Sequence, residues 1–377
     1  MTETSARNDA AALPVALCLS GGGYRAMLFH AGALLRMSET GWLQRLDLVS
    51  SVSGGSIIAG QLASQWAMLV SSPDLPQAYR DRVITPLLKL AGKRIDKRSV
   101  IRGFVSRGGS AGRVSAAYRK HIYGRQTLQQ LPDHPRFVIN ATNLQSGALW
   151  RFSKPYARDY KVGGIEHPDF ELATAVAASS AFPPFLSPLV LDLSATEWTW
   201  PGDDPTMQQG PYRAHVVLGD GGIYDNLALE SAKRSTTILV SDGGGQMANV
   251  PAPRENWVGQ LRRVLEVEDN QVRSLRKRRL IDSYDSGVIA GTYWGIRSDI
   301  ERYGLADSLP CPHTATMRLA AIRTRLAPIP KSDRLRLVNW GYAVCDAALR
   351  RYVDQSLQPP SGFPFPRAAI LSHARLE

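Results

Sequence analysis

The chain has 377 residues, a formal net charge of +12, 44% hydrophobic and 21% charged residues. These values exclude a disordered or low-complexity chain and leave length for one large α/β domain or two ordinary ones. The positive balance draws the protein to polyanions, and without zinc-finger spacing, an RNP-like aromatic run or a basic region followed by heptads, no nucleic acid is expected and an anionic membrane surface is favoured. The three cysteines, Cys18, Cys311 and Cys345, are odd in number and widely spaced, which suits a reducing compartment. The N-terminus lacks a basic n-region and a full apolar h-region, and no stretch approaches 18 apolar residues. The expectation is a cytoplasmic protein, peripheral on membranes.

In chain order, residues 1–12 read as a loose tail, and Pro14 to Leu19 as a buried strand stopped by Ser20-Gly-Gly-Gly23. Met27, Leu28, Ala31, Leu34 and Leu35 then recur at helical spacing up to Thr40-Gly41. The same grammar repeats: a strand over Leu46–Ser50, a tight turn at Ser51-Val-Ser-Gly-Gly55 and a helix from Ser56 to Val70. Two strand, turn, helix units in tandem predict a parallel sheet covered by helices. Arg136–Asn140, Ala214–Leu218 and Thr236–Val240 are further strands. The segment from Thr196 to Tyr212 reads as a long irregular loop whose Trp198 and Trp200 are either buried pins or anchors at a lipid interface. Beyond Gly245 the pattern is mainly helical, clearest over Trp257 to Leu280, and forms an extension packed on the same core.

Three segments carry chemistry. Ser20-Gly-Gly-Gly-Tyr-Arg-Ala-Met27 joins a strand to a helix, where glycine amides and the helix dipole make an anion nest. It lacks the Lys-Ser/Thr pair of a Walker loop, and alanine occupies the last glycine position of a dinucleotide fingerprint, a tolerated change. A nucleotide site and a plain turn therefore both stay open. Ser51-Val-Ser-Gly-Gly55 sets Ser53 on a sharp turn between strand and helix, the layout of a nucleophile elbow, although Ser51 stands where the first glycine is usual. Gly219-Asp-Gly-Gly-Ile-Tyr-Asp-Asn226 puts an aspartate at a strand end, where it can serve as a base, and it lacks the further carboxylates of a calcium loop. Asp242-Gly-Gly-Gly245 is a second copy of the motif.

These three elements, in this order, resemble the patatin-like phospholipase family, and the first is also similar to the matching stretch of cytosolic phospholipase A2. Ala177 to Phe185 resembles a helix-to-loop segment of the family, and Asn226 an asparagine that often follows its aspartate motif. The resemblance runs from about Val15 to Gly245 and implies a three-layer α/β/α fold with a mostly parallel central sheet, so that residues 13–245 form the catalytic domain and 246–377 the extension. It implies Ser53 as nucleophile, Asp220 as base, the amides of Gly22, Gly23 and Gly54 as oxyanion donors, and Arg25 as support for the glycine loop or for a lipid phosphate. The implied reaction is hydrolysis of fatty-acyl esters of membrane phospholipids through an acyl-enzyme, with neither metal nor organic cofactor.

Three alternatives accompany this reading. Asp242 could replace Asp220, His313 could complete a Ser, Asp, His order, and the Ser51 departure admits a catalytically silent lipid-binding protein. His30 and His215 fall within a helix and a strand, which suits structural roles. The basic run Arg273 to Arg279 is either a solvated helix end or a contact for anionic headgroups. A regulatory partner or small messenger is left open.

Overall fold

The computed structural model describes residues 14–95, 109–183 and 186–370. The expected tail at residues 1–12, His373, and Pro184 and Phe185 of the helix-to-loop segment lie outside them. Eleven strands form one sheet: β1 Val15–Leu19, β2 Leu48–Val52, β3 Arg136–Asn143, β4 Leu149–Phe152, β5 Tyr156–Asp159, β6 Gly163–Glu166, β7 Leu189–Asp192, β8 Trp200–Pro201, β9 His215–Asp220, β10 Thr237–Asp242 and β11 Ala290–Gly295. The order is β11-β10-β1-β2-β3-β4-β5-β6-β8, with β9 pairing both β3 and β7. From β11 to β3 all pairings are parallel. From β3 onward they are antiparallel.

Six helices matter for the site and its cover: α1 Gly23–Glu39, α2 Gly54–Val70, α3 Leu172–Ser179, α4 Trp257–Asp285, α5 His313–Ala320 and α6 Lys331–Tyr352. The central strands are mainly apolar and almost wholly buried because both faces are covered. Alternation then sorts their side chains: Leu17 and Leu19 of β1 enter the large core with α1, α2 and α6. Ala16 and Cys18 enter a smaller core on the opposite face with Ala228, Ala232 and Leu280. The outcome is three layers, α/β/α.

The extension beyond residue 245 supplies β11 to the sheet edge and α6 to the large core, where Trp340 donates its indole N–H to Ile296 O at 2.8 Å. The predicted strands and helices appear with ends shifted by a few residues. The expected loop over 196–212 differs: Trp200–Pro201 pairs with β6, and Pro211–Ala214 is a helical turn. Trp198 packs edge-on to Trp150 at 6.1 Å with the Arg213 guanidinium 4.8 Å from its ring, and Trp200 lies against Tyr156 and Arg158. Both indoles are pins in the antiparallel wing. Among the described residues no helix is long and apolar enough to cross a membrane.

Candidate active site

The register of β3 brings the site together. Val52, the last residue of β2, pairs with Asn140, and the next position, Ala141, pairs with Asp220 at the end of β9. Strands β2 and β9 therefore meet end to end on the same side of β3, with Ser53 leaving one and Asp220 ending the other. The parallel sheet expected from the sequence, with both residues at the carboxyl ends of its strands, does not extend to β9, which runs antiparallel to β3 and to β7.

Ser53 has φ 51° and ψ −116°, a left-handed conformation costly for a side chain with a Cβ and typical of a serine held on an elbow. Its amide donates to Ser179 Oγ at 2.9 Å, and Ser179 Oγ in turn donates to Asn140 O at 2.6 Å. The glycines after it are obligatory, since a methyl group at Gly54 would lie 2.3 Å from Gly23 O and one at Gly55 2.3 Å from Leu19 O. Ser51 needs no glycine freedom: it is still within β2, buried, and its hydroxyl donates to Val138 O and accepts from Ser56 Oγ.

Asp220 is 3% exposed, and Ser53 9%. Its Oδ1 accepts the Gly222 amide at 2.7 Å, and the Ser53 hydroxyl is close enough to favour the charged carboxylate. Burial pushes its pKa up to about 7, against the opposing pull of these two donors. Asp220 N donates to Ala181 O and Gly221 N to Ser179 O, so the end of α3 holds both the serine and the aspartate. Ser179 was given no role in the sequence; its lone signal there is its place in the Ala177–Ala181 stretch.

The glycine loop crosses in front of the elbow. Among the described residues the amides of Gly22, Gly23 and Gly54 have no hydrogen-bond partner, whereas Gly21 N donates to Asn226 O and Gly55 N to Ser20 O. Gly22 and Gly23 have φ 144° and 60°, conformations that favour glycine. Three unpaired amides near a serine can receive an oxyanion. Arg25 does not point outward to a phosphate: its guanidinium donates to Gly243 O at 3.0 and 3.2 Å, to Ala320 O at 3.2 Å and to Ile322 O at 2.5 Å. Tyr24 N also donates to Arg325 O. Residues 320–325, far beyond the motifs, thus brace the loop through backbone carbonyls, which leave no mark in a sequence.

The rival bases stand elsewhere. Asp242 accepts from Tyr293 Oη and Gly244 N, each at 2.8 Å, and faces Arg273; these partners hold its pKa below the ordinary value despite burial, a poor state for a base. His313 is exposed at the start of α5, and none of the described histidines is hydrogen-bonded to Ser53 or Asp220. His30 is a buried support, its Nε2 at 3.0 Å donating to Ser20 O and its Nδ1 at 2.7 Å from Ser241 Oγ, with burial pushing its pKa down to about 4. His30→Leu leaves the Ser241 hydroxyl unpaired and Ser20 O one donor short, and is expected to cost about 1–3 kcal/mol of stability. Thermal melting beside His30→Gln, which keeps a donor, checks this; equal melting of both variants and wild type would refute it.

The basic run is also placed differently from a solvated end. Arg276 donates to Tyr224 O at 3.2 Å and faces Asp225 and Glu230, Lys277 sits 4.1 Å over the Tyr293 ring, and Arg273 faces Asp242. Three of its five cations therefore bind the protein, and Arg278 and Arg279 remain exposed.

A patatin-like phospholipase family model matches residues 17–233, more than half of the chain. Among solved structures, human GIVD cytosolic phospholipase A2 aligns with TM-score 0.49 and 14% identity over 88% of this chain and 58% of that one. Its complex with methyl gamma-linolenyl fluorophosphonate gives 0.49 and 13% over 89% and 58%. VipD from Legionella pneumophila gives 0.35 and 15% over 89% and 66%. The chain thus spans less than two thirds of the length of each. A search of curated proteins finds no match. On the family match, with its strand, glycine loop, serine elbow and aspartate in order, the chain belongs to the patatin-like phospholipase family.

Proposed function

We propose that the protein is a lipid acyl hydrolase of the phospholipase A or lysophospholipase type, working through a Ser53 and Asp220 dyad. Asp220 takes the hydroxyl proton as Ser53 Oγ attacks the ester carbonyl carbon, and the amides of Gly22, Gly23 and Gly54 hold the resulting oxyanion. Collapse breaks the bond to the alcohol oxygen, which leaves with the proton from Asp220. Water then gives a proton to Asp220 and attacks the acyl-serine, and the fatty acid departs as Ser53 recovers its hydrogen. Arg25 keeps the glycine loop in position and does not touch the lipid. The substrate is a membrane phospholipid, and the enzyme works peripherally at its surface.

The observation that carries this reading is the β3 register, which sets a left-handed serine beside a buried carboxylate of raised pKa. The Ser51 departure no longer favours a silent lipid-binding protein, because Ser51 belongs to the strand and not to the turn. The test is an alkyl fluorophosphonate, with the adduct located by peptide mass and fatty-acid release from phospholipid vesicles followed alongside. An adduct on Ser53 and release abolished in Ser53→Ala are expected; release that survives Ser53→Ala sinks the reading. Because both catalytic groups are side chains, release should continue unchanged in excess chelator. Loss in chelator with recovery on added calcium would require a different mechanism.

A further inference from the structure

Helix α4 is amphipathic in the wrong sense for a helix packed on a core. Trp257, Leu261, Val264, Leu265, Val272 and Leu275 are all exposed, Trp257 at 76%, and at 3.6 residues per turn they fall within one arc of about 100°. A separate arc holds Arg273, Arg276 and Lys277, which bind the protein, and Leu280, the one buried residue among the 29 of the helix. These three basic side chains therefore face inward while a hydrocarbon stripe faces water.

The inward face of α4 reaches the candidate active site. A methyl group at Gly244 would lie 2.3 Å from Arg273 Nη2 and 3.2 Å from Asn226 Nδ2, and one at Gly21 would meet Asn226 Oδ1 at 2.5 Å. Contact thus runs from α4 through Asn226 to the glycine loop. On the Asp220 side, a methyl at Gly219 would lie 2.9 Å from Ile223 Cδ1 and 3.2 Å from Leu144 Cδ2. Both side chains are exposed, as is Phe182, next to the residue whose carbonyl receives the Asp220 amide. Tyr224, after Ile223, gives its carbonyl to Arg276 of α4.

We propose that the outward face of α4 and this apolar rim dock the enzyme onto a phospholipid bilayer, with Ser53 held beside the surface. The proposal rests on the lipid hydrolase reading for its choice of partner: exposed apolar surface of this extent marks an interaction site, and its rim at Leu144, Phe182 and Ile223 lies next to the Asp220 strand end. A tryptophan at the end of an apolar helix face suits the lipid interface. The exposed Arg262, Arg278 and Arg279 and the net charge of +12 complement anionic headgroups. Glu268 interrupts the stripe, so the turns from Trp257 to Leu265 sink deepest.

The experiment compares wild type, Ser53→Ala and the double variant Leu261→Asp/Leu265→Asp on phosphatidylcholine vesicles with and without phosphatidylglycerol, by flotation and by fatty-acid release. The double variant should bind at least tenfold more weakly and lose vesicle hydrolysis in proportion, while turnover of a soluble short-chain ester and the circular dichroism melt stay at wild-type values. Ser53→Ala should float like wild type. Vesicle binding unchanged in the double variant overturns the proposal, as does a wild-type dimer in sedimentation velocity that this variant dissociates, which would make the face a contact between copies. Wild type that floats without releasing fatty acid sinks the hydrolase reading and leaves the docking face supported. Release that continues undiminished in the double variant sinks the docking face alone.

Discussion

Asp220→Asn should lower kcat for ester hydrolysis by about 10²- to 10⁴-fold, the range of a general base, because it keeps the size of the side chain and removes its capacity to accept a proton. Asp242→Asn and His313→Ala should not approach this loss, Asp242 being occupied by Tyr293, Gly244 and Arg273, and His313 standing exposed on α5. Ser53→Ala combined with Asp220→Asn should be scarcely worse than either change alone, since partners in one step do not multiply their losses. The pH dependence carries a sign of its own. Burial raises the Asp220 pKa to about 7, and only the ionised form accepts a proton, so kcat/KM should rise with pH through that region. Stability moves the opposite way. A carboxyl whose folded pKa lies above its unfolded value contributes stability at low pH that is lost as pH rises through about 7. Asp220→Asn should therefore melt higher than wild type at pH 8 and close to it at pH 4. A flat rate profile between pH 5 and 8, or a variant with retained turnover, would move the base to another residue.

Gly341→Ala should destabilise the protein by about 3 kcal/mol or more, at the upper end for overpacking. At this position α6 crosses α1 with backbones in direct contact: the added methyl would lie 1.8 Å from Phe29 O, and the reciprocal methyl at Gly32 1.8 Å from Val338 O. No flexible side chain stands at either point to give way. The helices must separate along a contact that also contains the buried Arg36 and Asp346 pair at 2.8 Å. Denaturant midpoints for Gly32→Ala and Gly341→Ala, with Gly124→Ala as a control where a methyl meets nothing within 4 Å but the φ of 61° is strained, measure the effect. A loss below about 0.5 kcal/mol, ordinary for a surface change, would mean that α6 does not pack on α1 in this way.

The parallel strands β1, β2 and β10 were legible because they are largely buried on both faces and end in glycine-rich turns, as at Leu19 to Gly23 and Val52 to Gly55, whereas β11, partly exposed at the sheet edge, lay in a region read as mainly helical. The antiparallel wing was not. Strands of two to four residues such as β6 and β8 carry too few side chains for a period, and their pairing is fixed by partners far away in sequence. Ser53, Asp220 and the glycine loop stood out because each requires a particular residue type on a turn. Ser179 and residues 320–325 did not, since one acts through a common hydroxyl and the others through carbonyls that any residue could supply. The apolar positions of α4 were visible, but the face it turns inward is decided by partners such as Asp225, Glu230 and Asp242.

The clamp on Arg25 bears on when the candidate site can form during synthesis of the chain. Two of its three acceptor carbonyls, Ala320 and Ile322, are made long after the serine and the aspartate. A nascent chain that has released everything up to residue 245 holds every motif of the candidate site, yet Arg25 lacks two of its three acceptors and the glycine loop lacks that brace. The glycine loop gains this brace only once the segment around residue 320 has left the ribosome. On the proposed reading, a product truncated after the matched family segment should therefore be inert toward lipid.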